Sequence, residues 1–426
     1  MIILGIETSC DETAISIVDT AEINGVFGVK ILANEILSQI DLHRQYGGVF
    51  PMLAKREHAK NLVPLFLKAL SNAQMLKTAP LNTEKTETEY SVYSNILKNI
   101  GIDERREPLL WENFFSEIPK IQKPKIDLIA VTEGPGLEPA LWTGINFAKA
   151  LSEIWKIPLT PINHMEGHIF ASLLNENVQI AESPNYTISK QKPTPQPETV
   201  IHNSSFLIHT PRFPAIALLV SGGHTELIKM DNWFKYELIG STRDDAVGEA
   251  FDKVARILGL PYPGGPEISR LAANWRESGK KGTGITLPRP MINSDDFDFS
   301  FSGIKTAVLY LTKKLGNLTS DLKEEIAAEF ETAAVETLVA KTKKALTESD
   351  AKSLIVGGGV AANKFLRSSL KLMCENQNVD LFISQIAHST DNALMIATAA
   401  AFREQKQVKT EKKEMKAIGN LTISNV

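Results

Sequence analysis

The segment Ile2 to Asp19, IILGIETSCDETAISIVD, is two apolar runs joined by a polar turn, and Ala215 to Met230, AIALLVSGGHTELIKM, repeats that plan. Apolar runs bounded by Gly, Ser and Asp clusters read as strands. A third run, Ile31 to Leu37, follows the first pair. Helical patterns cover Met52–Ala69, Pro139–Trp155, Asp244–Leu258, Ser302–Leu315 and Leu322–Leu346, and further strands fall at Ile126–Val131, Ser353–Val356 and Val379–Ile383. Strands alternating with helices give an α/β fold, and the repeated opening points to a duplicated architecture of two lobes.

Two segments break the pattern. Residues 72–124 are rich in Lys, Glu, Thr and Asn, although LLWENFF (109–115) can dock a short helix on the body. Residues 176–213 contain SKQKPTPQPETV, too polar and proline-rich to pack. Both are expected to be surface insertions, partly disordered. The expected domains are an N-terminal lobe over 1–175, the insertion 176–213, a C-terminal lobe over 214–403 and a frayed tail from 404 to 426. From Arg403 to Lys416 that tail carries six Lys or Arg against three Glu.

The composition, 43% hydrophobic and 23% charged, is that of an ordinary soluble protein. No apolar run is long enough to span a membrane, and MIILGIETS lacks the basic start of a signal peptide, so a cytoplasmic protein is expected. Two distant cysteines, Cys10 and Cys374, exclude a disulfide framework or a cysteine zinc cluster. A net charge of −4 argues against a free-standing electrostatic nucleic-acid binder, but not against a local basic patch or a partner's charge.

In NHMEGHIFASLL (163–174), His164 and His168 stand four apart on a helix, where both imidazoles can meet one metal ion. Zinc proteases share that spacing but place the general-base Glu directly after the first His. Here Met165 is in that position, and Glu166 points roughly 200° away from His164 around the helix. A pair of helix histidines with ordinary partners is the structural alternative. Four glycine turns lie at strand ends: Gly134–Pro135–Gly136, Gly222–Gly223, Gly264–Gly265 and Gly357–Gly358–Gly359. Glycine lets backbone N–H groups approach an anion, and α/β folds bind ligands beyond the carboxyl ends of strands. No turn matches the P-loop or the dinucleotide fingerprint. A two-lobed nucleotide fold of the actin, sugar-kinase and Hsp70-ATPase type, with its cleft between the lobes, remains open.

IETSCDETA, YGGVFPMLAKREH, TEGPGL, NHMEGH, LLVSGGHTEL, STRDDAVGEAFDKVARILGLPYPGGPEI, FSFSGIKTAV, GGGVAAN and HSTDNALMIA occur in this order. Together they resemble the universal tRNA threonylcarbamoyladenosine-forming transferase family in its bacterial form, across nearly the whole chain except the insertions and the tail. The resemblance implies the actin-like fold and transfer of threonylcarbamoyl from threonylcarbamoyl-AMP to N6 of adenosine 37 in tRNAs reading codons that begin with A. It implies one divalent iron or zinc ion on His164, His168 and Asp391. It places the adenylate along Leu219, Val220, Ser221, Gly222 and Gly223, with Asp252, Gly265 and Asn363 as further contacts. Sequence alone also allows His388 as third ligand, but the family match falls on Asp391. The partners it implies are tRNA, an inactive paralogue, a small P-loop ATPase and a synthase that supplies the adenylate.

The chemistry needs a proton removed from an exocyclic amine and donors for an oxyanion and for departing AMP. Asp11 is the candidate general base, with Glu12 beside it at the tip of the first turn; capping the turn or orienting a water is its other role. Ser9 and the Gly222–Gly223 backbone are candidate donors. Departures from the family pattern are Glu138–Pro139 after GPGL and Ala393–Leu394–Met395 after Thr390–Asp391–Asn392. The 72–124 insertion follows the long helix on the face that the bacterial family uses for its paralogue. The competing readings are a metallopeptidase, a non-catalytic nucleotide-binding scaffold and a kinase of the actin type. Misplaced Glu166, the complete ligand set and the histidine-rich donor set weigh against them respectively.

Overall fold

Two sheets of matching order carry the molecule. The computed structural model describes residues 1–23, 26–79, 86–175, 204–408 and 414–425. Its strands are β1 (Ile2–Glu7), β2 (Glu12–Ile23), β3 (Val26–Ser38), β4 (Leu128–Gly134), β5 (Leu159–Asn163), β6 (Leu174–Asn175), β7 (Ser205–Ile208), β8 (Ala215–Val220), β9 (Thr225–Asn232), β10 (Lys235–Ser241), β11 (Ser353–Gly357) and β12 (Asp380–Ile383). The α-helices are α1 (Ile40–Arg44), α2 (Pro51–Asn72), α3 (Thr86–Asn99), α4 (Pro108–Glu117), α5 (Glu138–Trp155), α6 (His164–Ser172), α7 (Val247–Ile257), α8 (Gly264–Ser278), α9 (Ser302–Leu315), α10 (Ser320–Glu348), α11 (Lys364–Gln377) and α12 (Ala393–Gln405).

The N-terminal sheet runs β5-β4-β1-β2-β3-β7-β6 and the C-terminal sheet β12-β11-β8-β9-β10. In each, three consecutive strands form an antiparallel meander whose first strand is then flanked by two parallel strands. The first five strands of one lobe therefore map onto the five of the other. This is the duplicated, two-lobed actin-like fold, and the repeated strand–turn–strand opening is its trace in sequence.

Helices α6 and α12 lie between the sheets. One apolar core joins Ile3, Val18 and Val29 of the first sheet to Ala217, Leu219 and Ile228 of the second, through Ile169, Phe170, Met395 and Ile396 of these helices. Gly5 lets the start of α12 approach β1, since a Cβ there would lie 2.4 Å from the Ala393 carbonyl oxygen. Thus α12 is not simply the end of the C-terminal lobe, where the sequence placed it; it returns to the N-terminal sheet. Asparagine caps start both helices: Asn163 Oδ1 accepts from Met165 N and Glu166 N, and Asn392 Oδ1 accepts from Met395 N.

The expected surface insertions differ from expectation where they are described. Residues 80–85 and 176–203 lie outside the described residues. Within 72–124, α3 and α4 are ordered and bury Leu97, Leu110, Trp111 and Phe114 against Phe66 of α2 and Phe147 of α5. The apolar spacing of LLWENFF outweighs the polar composition around it. Strand β7 falls inside the 176–213 segment and pairs with β3.

The expected frayed tail is likewise corrected for 414–425. Lys149 Nζ donates to the Met415 carbonyl at 2.8 Å, Ile418 N to Glu133 O at 3.0 Å, and Gly136 N to Gly419 O at 3.1 Å. Buried Met415 and Ile423 anchor this strap. Gly134 permits its approach, because a Cβ there would lie 2.0 Å from the Ile418 carbonyl oxygen. Helix α8 and strands β5 and β10 were not singled out in the sequence; α8 begins with the glycine pair Gly264–Gly265, which reads locally as a turn.

Candidate active site

The site forms where the N-termini of α6 and α12 meet the ends of β1 and β8. His164 is the first residue of α6, and His168 is one turn on. The Nε2 atoms of both reach Asp391 Oδ1, at 3.3 Å from His164 and 3.2 Å from His168. One donor atom from each residue lies within 4.8 Å of the others. Nε2 of buried His168 makes no hydrogen bond despite that short approach. Two imidazole nitrogens and a carboxylate oxygen converging within 4.8 Å are a donor set suited to a first-row metal ion. His388 does not join them; it lies edge-on to Phe206, ring centres 5.5 Å apart.

Glu7, which sequence reasoning passed over, supports His164 from behind. Its Oε2 lies 3.2 Å from His164 Nδ1 and accepts from Thr132 Oγ1, and its Oε1 accepts from Ser9 N. Ser9 Oγ also lies 3.2 Å from Nδ1. A carboxylate on Nδ1 fixes the ring's orientation and turns Nε2 toward Asp391. Burial opposes charge on all three groups. Even so, Asp391 and Glu7 hold the His164 imidazole well above its ordinary pKa, and His164 holds both carboxyls below theirs. His224, in the turn after β8, is held at about 4 by burial and then by the neighbouring His164 and His168, so it stays neutral. An acid ending an apolar strand was the one available sequence signal for Glu7.

Asp11 is buried at the β1–β2 turn, and burial followed by nearby Asp391 raises its carboxyl pKa, against a hydrogen bond from Cys10. Glu12 beside it is pushed well up by burial and by Asp11. A network behind the turn fixes its backbone. His58 Nε2 lies 3.0 Å from the Cys10 carbonyl, Gln39 N donates to the Asp11 carbonyl, and His43 Nε2 lies 3.2 Å from Gln39 Oε1. Burial depresses His58 to about 4, so its neutral ring donates from Nε2 and accepts at Nδ1, 2.8 Å from Thr13 Oγ1.

On the opposite lobe, Leu219 and Val220 are buried in β8, and Ser221, Gly222 and Gly223 form the turn beyond it. Ser221 Oγ accepts from Gly223 N and His224 N. Asp252 pairs with neither Lys253 nor Arg256; its Oδ1 accepts from Gly264 N at 2.7 Å, and Gly265 N also bonds the carboxylate, capping α8. The Asn363 side chain is engaged within the protein: Nδ2 donates to Ser269 Oγ and Glu331 Oε1, and Oδ1 caps α11 through Leu366 N.

The glycines of these turns fall into two kinds. Gly358, at φ 91°, would place a Cβ 2.3 Å from the Val220 carbonyl oxygen, so the fold itself requires glycine there. Gly222, Gly223, Gly265 and Gly359 have no protein atom within 4 Å of such a Cβ and no left-handed φ. Neither packing nor backbone conformation explains them. The space beside each of them is open.

The family model described as tRNA N6-adenosine threonylcarbamoyltransferase matches residues 30–79, 108–188 and 198–398, leaving α3 outside. Curated proteins of that name are similar over nearly full length. The one from Thermosipho africanus is 38% identical over 99% of this chain and 100% of its own. That from Thermosipho melanesiensis is 39% identical over 94% of each chain. That from Halalkalibacterium halodurans is 37% identical over 95% of this chain and 92% of its own. With the expected ligand set assembled beside an open glycine-lined cleft, the conclusion is direct: the chain belongs to the tRNA N6-adenosine threonylcarbamoyltransferase family.

Proposed function

We propose that the protein transfers threonylcarbamoyl from threonylcarbamoyl-AMP to N6 of adenosine 37 in tRNAs reading codons that begin with A. The observation that carries this is the meeting, at one cleft of a family member, of the His164–His168–Asp391 cluster with the open-faced glycine turns of the opposite lobe. The N6–carbonyl bond forms, the bond from that carbonyl to the AMP phosphate oxygen breaks, and AMP leaves with the electron pair. Asp11, its carboxyl raised by burial, takes the N6 proton. His164, His168 and Asp391 would hold a divalent ion, iron or zinc, which supplies Lewis-acid polarisation of the acyl group when bound. Glu7 and Ser9 hold the His164 ring in place. Leu219 to Gly223 line the adenylate, with Gly265 and Gly359 leaving room for it. The Asp252 carboxylate, anchored by the start of α8, meets the ribose hydroxyls, and Asn363 keeps the GGG turn and α8 in register.

Glu166 cannot act as a peptidase base, because its carboxylate is locked in a buried bidentate pair with Arg403. Action on tRNA fits a cytoplasmic protein; among the described residues no helix is long and apolar enough to cross a membrane. An inactive paralogue, a small P-loop ATPase and an adenylate-supplying synthase complete the proposed pathway. Helices α3 and α4 cover part of α2 and α5 on the face proposed for the paralogue.

The test is a transfer reaction with these partners, unmodified tRNA and threonylcarbamoyl-AMP, read by mass spectrometry of digested nucleosides. Threonylcarbamoyladenosine is expected; its absence, with partners bound and both substrates intact, would refute the proposal. A companion result separates ligand from packing. Gly222→Ala and Gly265→Ala are expected to raise the KM for the adenylate about tenfold, the effect of an intruding methyl group. Thermal midpoints should be unchanged, since no protein atom meets the added Cβ.

A further inference from the structure

Glu7 and Ser9 steady the His164 ring, but Ser9 lies in a turn, and a turn orients a metal ligand only as firmly as it is itself held. Ser9 N donates to Glu7 Oε1, and Ser9 Oγ lies 3.2 Å from His164 Nδ1. The Ser9 carbonyl accepts from Leu137 N at 2.7 Å, which ties it to the turn Gly134–Pro135–Gly136. The two turns are in close contact, since a Cβ at Gly136 would lie 2.7 Å from both Ser9 Cβ and the Ser9 carbonyl oxygen.

The strap at 414–425 grips this second turn at three successive points. Ile418 N donates to the Glu133 carbonyl just before it, and the Gly419 carbonyl accepts from Gly136 N within it. Just after it, Gly419 N donates to Glu138 Oε1 at 3.3 Å, at the residue where this chain departs from the family pattern. Lys416 N also reaches the Glu133 carboxylate, at 3.2 Å. The strap is anchored on both sides of these bonds. Met415 is buried in the N-terminal core with Leu141 and Ile145 of α5. Ile423 is buried in the core that joins the two sheets, and residues 423–425 lie against β10 of the other lobe.

We propose that this strap is a positioning element of the metal centre: Gly419 fixes the Gly134–Pro135–Gly136 turn, the turn fixes Ser9, and Ser9 with Glu7 fixes His164. The proposal rests on the reading of His164, His168 and Asp391 as metal ligands and adds what sets the first of them in place. A strap that only completed the hydrophobic cores would need Met415 and Ile423 but not the hydrogen bonds between them. Gly419 is the point at which the strap can be moved with both anchors left intact. It has no left-handed φ, so its backbone accepts a side chain. A Cβ there would lie 3.0 Å from Glu138 Cγ and 3.1 Å from the Gly136 carbonyl oxygen, so a larger side chain must lift the strap from the turn.

The experiment titrates the metal-free full chain with zinc(II), and with iron(II) under anaerobic conditions, in wild type, Gly419→Ala and Gly419→Val. Amide hydrogen exchange of residues 134–140 is followed in the metal-free protein, where it reports the bond from Leu137 to Ser9. Leu370→Ala, in the separate core of the C-terminal lobe, is the control for general loosening. Exchange is expected to quicken from wild type to Ala to Val, and metal affinity to fall in the same order. The fall is about tenfold for Gly419→Val, the lower end of the effect of groups that orient a ligand. Leu370→Ala should keep wild-type affinity. Quickened exchange with affinity within about twofold of wild type would overturn the proposal, because the turn would move without moving the ligand. Unchanged exchange in both Gly419 variants would overturn it as well, since the strap would then not hold the turn. So would an equal loss of affinity in Leu370→Ala, which would make the effect one of general stability. A wild type that binds neither ion would remove the metal reading and this proposal together.

Discussion

Asp391→Ala is expected to remove bound metal and to lower the transfer rate at least a thousandfold, the loss of several kcal/mol of Lewis-acid stabilisation. Asp391 Oδ1 is the point on which both Nε2 atoms converge, and it brings the only negative charge in the ligand set. Burial disfavours that charge, but the two histidines hold the carboxyl far below its usual range, so it is ionised at any pH the protein meets. Without it, two neutral imidazoles remain, too few donors and no charge for a divalent ion. His168→Ala is expected to match this loss. Glu7→Gln should be milder, about 10–100-fold in metal affinity, because Glu7 orients a ligand rather than being one. Metal content by mass spectrometry and the transfer rate, measured together, check the order. Full metal occupancy in Asp391→Ala would mean that the cluster is not the binding site.

What could be read in the sequence divides along physical lines. The two lobes were legible because strand–turn–strand openings are local, and local alternation survives in the chain as pattern. His164 and His168 were legible because four residues on a helix is a fixed geometry. Asp391 was not reachable by spacing, since its approach depends on α12 crossing to the N-terminal sheet; only the family resemblance supplied it. Glu7 was hidden for a different reason. It ends an apolar strand and looks like a surface acid until Thr132, Ser9 and His164 close over it. The strap at 414–425 misled because its charge pattern is that of a solvated end. Its order comes from backbone hydrogen bonds that Gly134 makes room for, which no hydropathy pattern records.

The largest effect on stability is expected from Arg403→Met. Glu166 is fully buried and Arg403 nearly so, and Arg403 Nε and its terminal nitrogen each donate to one Glu166 oxygen at 2.6 Å. Phe234 lies 5.7 Å from the guanidinium, so little water reaches the pair. Removing one partner of such a pair leaves a buried, uncompensated charge and costs about 3–5 kcal/mol, whereas replacing both with apolar groups is often close to neutral. Glu166→Met/Arg403→Met is therefore expected to recover most of the stability lost in the single variant, as read by denaturant unfolding. The pair also joins α6, which carries both histidines, to α12, which begins just after Asp391. Gly167 shows how closely these helices meet, since a Cβ there would lie 3.1 Å from Met395 and Ile396 side-chain atoms. A methionine pair restores burial without the fixed, bidentate geometry that sets the register of the two helices. If registry is what the ion pair contributes, the double variant will be stable and still bind metal more weakly than wild type. If it binds metal as tightly, packing alone positions the ligands.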